Sequence, residues 1–196
     1  MVLTLARFDP KFDKQLLLDY QRTKYQVFYH EYGWHSLAVD QHHGIALLDD
    51  YDLNSQFFSV DIDGNAVGFL RGTDTAVAFP HASLFAHQQA QLAPLRSASL
   101  NALCVNSEYR GKLYTLGDKQ MKLGRALLQF AKDYYQAEQF DLLLSSTNAE
   151  LVVKVFVPAG FSVLEQDINL AGSPTPITNL CLALSSSAKQ TFATCQ

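Results

Sequence analysis

Long apolar runs are missing from this chain. No uninterrupted hydrophobic stretch approaches the roughly 18 residues that a bilayer-crossing helix needs, so no membrane partner is expected. Positive charge is scarce as well: 15 Lys and Arg stand against 19 Asp and Glu, a net charge of −4. Nucleic-acid-binding domains ordinarily carry the opposite excess, so no nucleic acid partner is expected either. Cysteine is limited to Cys104, Cys181 and Cys195, far apart and without a CxxC pair. That argues against a disulfide framework and a structural zinc site. Adjacent His42 and His43 have metal-ligand chemistry but bring no third ligand, so no metal is expected. Residues 1–9 lack a basic segment followed by an apolar core; no signal peptide is expected, and the location expected is cytoplasmic.

Apolar material, by contrast, is ample. Of the 196 residues 48% are hydrophobic, with 13 Phe and 9 Tyr. Such a chain can build its own core as one domain, expected over 1–185, with a Ser-rich flexible tail at 186–196. Residues 2–8 partly alternate and read as a strand. Phe12, Leu16, Tyr20, Val27 and Phe28 fall near one face of a helix over 11–31, which Gly33 closes. Residues 35–54 show no period and carry Asp40, Asp49, Asp50 and Asp52; they read as a surface loop or lid. Asp63-Gly64, between apolar stretches at 56–61 and 66–73, is a two-residue hairpin signal. An irregular connector at 74–96, with a short helix near 84–92, precedes a strand ending in Leu103-Cys104-Val105. A helix from Met121, a strand at 140–146, a second helix, Gly160-Phe161 and a last strand at 177–184 complete the chain. Strands that both meander and alternate with helices imply an α/β domain with a mixed central sheet and helices on both faces.

Residues 97–161 carry the chemistry. After the apolar strand comes Asn106-Ser107-Glu108-Tyr109-Arg110-Gly111-Lys112, and after a short insertion Lys122-Leu123-Gly124-Arg125-Ala126 leads the amphipathic helix. A strand, a basic glycine-bearing turn and a helix N-terminus present backbone N–H groups to a phosphorylated ligand. The helix dipole adds to the attraction, and small residues at Gly124 and Ala126 permit close approach. Of the 15 basic residues, Arg110, Lys112, Lys119, Lys122, Arg125 and Lys132 fall within this short span. In an acidic protein such clustering suits an anionic ligand or an acidic protein partner; a solvated helix face is the alternative.

These residues resemble the GCN5-related N-acyltransferase (GNAT) superfamily, whose central motif is Arg/Gln-x-x-Gly-x-Gly/Ala between a strand and a helix. Gly124, Ala126 and Leu127-Leu128 match its second half. Met121 stands where a basic or amide residue is usual, and Arg110-Gly111 supplies a first half across an insertion at 112–120. Asn148 and Gly160-Phe161 match the order that follows. Arg22, Val27-Phe28, Gly33-Trp34, Asp49-Asp50-Tyr51-Asp52, Gly68, Arg71 and Pro176 resemble the acyl-homoserine-lactone synthases and N-acyl amino acid synthases of the same superfamily. That branch often takes acyl chains from acyl carrier protein, and carries a Glu-Ser-Ser-Arg-like segment on the central strand. Here Ser99-Leu100-Asn101-Ala102 stands there, with neither the acid nor the arginine.

The resemblance implies an N-acyltransferase with acetyl-CoA, another acyl-CoA or acyl carrier protein as donor and a primary amine of a small molecule or protein as acceptor. It implies donor contacts at Leu103, Val105, Arg110, Gly111, Lys122, Leu123, Gly124, Arg125, Ala126, Asn148 and Phe156. Arg22, Phe28, Trp34 and Arg71 fall on the acceptor and acyl side, and Asp52, Asn101 and Tyr109 are the candidate reacting groups. Phe156 holds the position where many members keep a tyrosine that protonates the departing sulfur, which leaves Tyr109 or a water for that task. On residue chemistry alone, Cys104 reads as a buried core thiol rather than a nucleophile. Asn148 is either an arm contact or a helix N-cap. The carboxylates Glu31, Asp49, Asp50 and Asp52 form either an ammonium site or a hydrated loop. Three readings stay open: a CoA-dependent N-acyltransferase, a long-chain N-acyl amino acid synthase-like enzyme using carrier protein, and a non-catalytic acyl-thioester binding module.

Overall fold

Residues 2–193 are described by the structure, a computed structural model; Cys195 lies outside them. In chain order the elements are β1 (Leu3–Phe8), α1 (Lys14–Lys24), β2 (Val39–Asp40), β3 (Ile45–Ala46), β4 (Gln56–Ile62), β5 (Asn65–Asp74), α2 (Gln89–Leu92), β6 (Ser97–Val105), β7 (Tyr114–Leu116), β8 (Lys119–Met121), α3 (Leu123–Ala137), β9 (Leu142–Asn148), α4 (Ala149–Leu151), β10 (Ser162–Ile168), β11 (Ile177–Ala183) and α5 (Ser186–Thr191). Seven strands form one sheet in the order β1-β4-β5-β6-β9-β11-β10. Its neighbours are antiparallel except for β6 and β9, which are parallel and are joined through α3. The sheet is therefore mixed, as the element pattern implies.

Alternation along the strands assigns the two faces. Phe57 and Phe69 meet Leu17 and Tyr20 of α1, together with Phe8 and Cys104. Phe58 and Leu70, one residue on from each, meet Leu123, Leu127, Leu128, Ala131 and Tyr135 of α3. Helices thus cover both faces. A third cluster joins Phe85 and Leu92 to Leu142, Leu144, Cys181, Ala188 and Phe192. Close approach of β5 to α3 requires a glycine at 72, because a Cβ there would run into the Tyr135 ring and hydroxyl. The β4–β5 turn is the Asp63-Gly64 hairpin, with φ of 52° and 88°, the sign a type I′ turn demands.

Four expectations are modified. The helix expected over 11–31 is α-helical only to Lys24 and continues as a π-helical stretch from Tyr25 to Glu31. Residues 35–54 are not a plain loop: they hold the β2–β3 hairpin and a 3-10 turn at Asp52–Asn54, with Asp52 fully buried. The insertion at 112–120 contributes to the β7–β8 hairpin, so α3 opens at Leu123 rather than Met121. The tail expected to be flexible carries α5, capped by the Ser185 hydroxyl on the Ala188 N–H at 3.2 Å. Ala188 and Phe192, four apart on one helical face, bury themselves against the sheet.

Candidate functional site

The parallel strands β6 and β9 are paired only from Ser97 opposite Leu142 to Leu100 opposite Ser145. Beyond that point β6 stays with β5, and β9 stays with β11 through Ser146, Thr147 and Asn148. A gap therefore opens in the middle of the sheet. Its cause is a bulge: Phe69 pairs with Cys104 and Arg71 with Asn101, leaving Leu70 opposite both Ala102 and Leu103. Ala102 takes a φ of 52° to accommodate the extra residue, and such a bulge bends its strand and re-aims the side chains. Backbone groups lining the gap have lost their ladder partners, which suits an extended, amide-bearing ligand laid between the strands.

Two cavities meet at this gap. The first, about 410 Å³, is lined by Val105, Tyr109, Arg110, Gly111, Lys122, Leu123 and Gly124, with Glu150, Lys154 and Val155 across from them. Here α3 begins. Its N-cap Lys122 makes no side-chain cap hydrogen bond, and the first turn of a helix leaves its N–H groups without helical partners. Arg110 is ion-paired with Glu31, and its Nε is buried without a partner among the described residues. Open N–H groups, the helix dipole and three cations, Arg110, Lys122 and Lys154, against the single carboxylate of Glu150 suit this cavity to an anion.

The second cavity, about 450 Å³, runs between the splayed strands. Its lining includes the apolar Leu84, Leu100, Leu103, Leu151, Phe156, Leu170 and Ile177, the aromatic Phe28 and Trp34, and the titratable Lys24, Asp49, Arg71 and His81. Arg71 donates to Asp49 at 2.6 Å and to Asp52 at 2.7 Å, and Lys24 lies 3.4 Å from Asp49 and 3.8 Å from Asp52. The side chains of Arg71, Lys24 and Asp52 are 4%, 7% and 0% exposed, that of Asp49 39%. Two cations and two anions balance; Lys24, Asp49 and Arg71 all line the cavity, and the Asp49 carboxylate is the most exposed of the four groups. Burial opposes its ionisation, but Arg71 and Lys24 outweigh burial and hold Asp49 below the usual carboxylate range. Burial likewise opposes protonation of Arg71, yet Tyr20, Asp49 and Asp52 raise its pKa further. His81 stands at φ 59° on this cavity. Burial, and then the charge of Arg71 with a smaller part from Lys24, lower its pKa against the opposing charge of Asp49 and favour the neutral imidazole.

Most of the residues singled out from the sequence come together here. Leu103, Val105, Tyr109, Arg110, Gly111, Lys122, Leu123 and Gly124 line the anion cavity; Phe28, Trp34, Arg71, Asn101, Leu103, Asn148 and Phe156 line the second. The Asn148 side chain also caps α4, accepting from the Leu151 N–H at 3.0 Å. Ala126 is buried beneath the anion cavity. Arg125 turns away and donates to the Pro158 carbonyl at 3.0 Å. Arg22 is exposed beside Asp19; two residues from Tyr20, it lies across the helix from the buried face. Asp52 is sealed inside the ion cluster and lines neither cavity. Cys104 is buried, its thiol pushed up to about 12 by that burial, which leaves it protonated and poorly nucleophilic.

Lys24, Tyr32 and His81 went unread in the sequence. Lys24 carried a signal: Tyr20, Lys24 and Phe28 recur at i, i+4 and i+8, so a lysine sits in an otherwise apolar stripe. Tyr32 depends on the π-helical register and His81 on a left-handed backbone, and neither leaves a periodic trace. Among the described residues no group of three or more His, Cys, Asp and Glu is arranged to hold a metal ion, and no helix is long and apolar enough to cross a membrane.

Solved structures share this architecture along nearly the whole chain. The acyl-homoserine-lactone synthase LasI superposes with a TM-score of 0.65 at 19% identity, covering 97% of this chain and 93% of LasI. The CoA-dependent acyl-homoserine lactone synthase BjaI, with SAM and isopentyl-CoA, gives 0.72 at 13% identity, covering 98% and 89%. FeeM, an N-acyl amino acid synthase from uncultured soil microbes, gives 0.63 at 11% identity, covering 93% and 92%. No family model matches the chain, and no curated protein matches it by sequence. The fold is the GNAT fold, in the form shared with these synthases.

Proposed function

We propose that this protein is an N-acyltransferase that takes an acyl group from a coenzyme A thioester and transfers it to a primary amine. The observation carrying the reading is the meeting of an anion seat and an apolar chamber at a gap between two splayed parallel strands. A phosphorylated carrier at the first and its acyl end in the second would bridge the two through one extended arm. The likeness to CoA- and acyl-dependent synthases supports the same reading. In the acceptor half of the chamber, the exposed Asp49 carboxylate favours an ammonium group. Neutral His81 is suited to take the proton that the amine loses as its nitrogen attacks the carbonyl.

The chamber is far larger than an acetyl group requires, which favours a longer chain. Each added methylene should raise donor affinity about fourfold, from about 0.8 kcal/mol per buried CH₂, until the chamber is filled. Calorimetry with acetyl-CoA, medium-chain and long-chain acyl-CoA, and an acyl carrier protein tests this, together with free-thiol release in the presence of a panel of amines. Binding of none of these donors would overturn the function. Tight binding of acetyl-CoA with no gain on lengthening would overturn the chain-length reading alone.

The His81 role predicts a pH profile. A base works when neutral, and a lowered pKa keeps it neutral further into acid. The acid limb of kcat/KM should therefore lie below the ordinary histidine value of about 6.5. His81→Asn should remove that limb and lower kcat by about 10²-fold or more. An acid limb unchanged in His81→Asn would exclude His81 as the base.

A further inference from the structure

The departing sulfur needs a proton, and the structure supplies a donor that the sequence did not reveal. Tyr32, Leu103 and Leu151 are the residues that line both cavities, so they form the neck through which an arm passes from the anion seat into the chamber. Leu103 and Leu151 have no proton to give. Tyr32 has one, and its hydroxyl makes no hydrogen bond with any described residue. Its placement follows from the π-helical register after α1: the Tyr32 N–H bonds the Val27 carbonyl at 3.0 Å, five residues back. Beside it the Phe28 ring lies 6.4 Å away, tilted at 57°. A π turn inserts one residue into the helical ladder and rotates the side chains that follow, a device found often at functional sites.

We infer that Tyr32 is the general acid of the transfer, delivering its phenolic proton to the thiolate as the carbon–sulfur bond breaks. The inference rests on the thioester donor proposed above. In the balanced step the amine nitrogen forms the new bond to the carbonyl carbon and the C–S bond opens. The sulfur takes the Tyr32 proton, and the phenolate recovers a proton from solvent while the amine's proton leaves through His81. Phenols and alkyl thiols ionise in the same range, so the transfer is nearly balanced in energy. Lys154, from the turn after α4, lines the anion cavity with Tyr32 and is ion-paired with Glu150 at 2.7 Å. The other charged groups around the neck are Glu150, Arg110 and Lys122 on the anion side and Asp49, Arg71 and Lys24 on the chamber side, with His81 also there. Other proton donors fit less well. Tyr109 lines only the anion cavity, and Ser145, Ser146 and Thr147 in the chamber are alcohols of much higher pKa.

Tyr32→Phe, which keeps the ring and its packing, should lower kcat about 10²- to 10⁴-fold with the donor Kd changed by less than about threefold. Replacing Tyr32 with 3,5-difluorotyrosine should move the alkaline limb of the kcat profile to lower pH, which a purely structural ring would not do. A Tyr32→Phe enzyme as fast as wild type, or one that loses only donor affinity, would overturn the assignment. A single 3-fluorotyrosine at position 32 reads the contact without turnover: its ¹⁹F resonance should shift more with coenzyme A than with desulfo-coenzyme A. Equal shifts with the two would overturn it as well. If the 3-fluorotyrosine protein passes the ¹⁹F comparison while wild-type protein binds donor and yet releases no thiol with any amine, the acyltransferase reading is overturned and Tyr32 stays at the sulfur.

Discussion

Gly124→Asp is expected to weaken acyl-CoA binding about a thousandfold while the protein stays folded. The position is in the first turn of α3, where the proposed pyrophosphate lies against open N–H groups. An added carboxylate about 4 Å from a phosphate costs roughly 4 kcal/mol at the effective dielectric of a partly exposed site, or about three decades in Kd. Folding should tolerate the change. A Cβ at Gly124 lies 3.5 Å from Val155 Cγ1 and 3.8 Å from Leu103 Cδ2, both ordinary contacts, and an acid in the first turn suits the helix dipole. Gly124→Ala separates bulk from charge and should bind donor far better than Gly124→Asp. Calorimetry with a medium-chain acyl-CoA, alongside thermal melts, gives the answer. Wild-type affinity in Gly124→Asp would put the phosphate seat somewhere other than the start of α3.

Arg71→Met is expected to cost 3–5 kcal/mol of stability, about the usual penalty for breaking a buried ion pair from one side. Arg71 is 4% exposed in its side chain and answers both Asp49 and Asp52. Without it Lys24 alone faces two carboxylates, one of them fully buried. For a chain of this size the loss corresponds to a fall in Tm on the order of 10 °C. Adding Asp52→Asn to Arg71→Met should recover part of the stability, because it removes one of two carboxylates left to share a single lysine; such coupling is what a double-mutant cycle measures. The pH dependence has a definite sign. Asp49 has a lowered pKa in the folded state, so its contribution is present above the unfolded carboxylate value of about 3.9 and is lost as pH falls through the folded value. The gap in Tm between wild type and Arg71→Met should therefore narrow in acid. A Tm within about 2 °C of wild type at neutral pH would mean that the cluster contributes no net stability.

Much of the anion seat was legible because its signals are local. A strand, Arg110-Gly111 and the Gly124 turn stand close together in the chain, and the chemistry of a helix N-terminus depends on little else. Phe28, Trp34 and Arg71 came by resemblance and do share the chamber. Asp52 and Arg22 came by the same resemblance, and a resemblance does not say which way a side chain faces: Asp52 is sealed inside the protein and Arg22 stands in solvent. The lysine two positions after Arg22 answers the acids instead, since the face of α1 that meets the sheet is the one carrying Tyr20 and Lys24. The helix after Ser185 left no trace in the sequence because two buried residues four apart, Ala188 and Phe192, are too weak a pattern to register until a sheet is there to receive them.

The sequence by itself determined the α/β class, the Asp63-Gly64 hairpin, the burial of Cys104 and the strand, basic turn and helix start that lead into α3. Each follows from contacts within a few residues or from the cost of burying one side chain. Only the tertiary structure decided that β6 and β9 part company after Leu100 and Ser145, that the Asp49–Arg71–Lys24–Asp52 cluster is neutral and mostly buried, and that Tyr32 stands at the neck between two cavities. The physical reason is that these depend on register. A one-residue bulge at Ala102 and a five-residue hydrogen-bond step at Tyr32 rotate side chains into the gap, and both are selected by the packing of strands and helices distant in the chain, which no local pattern records.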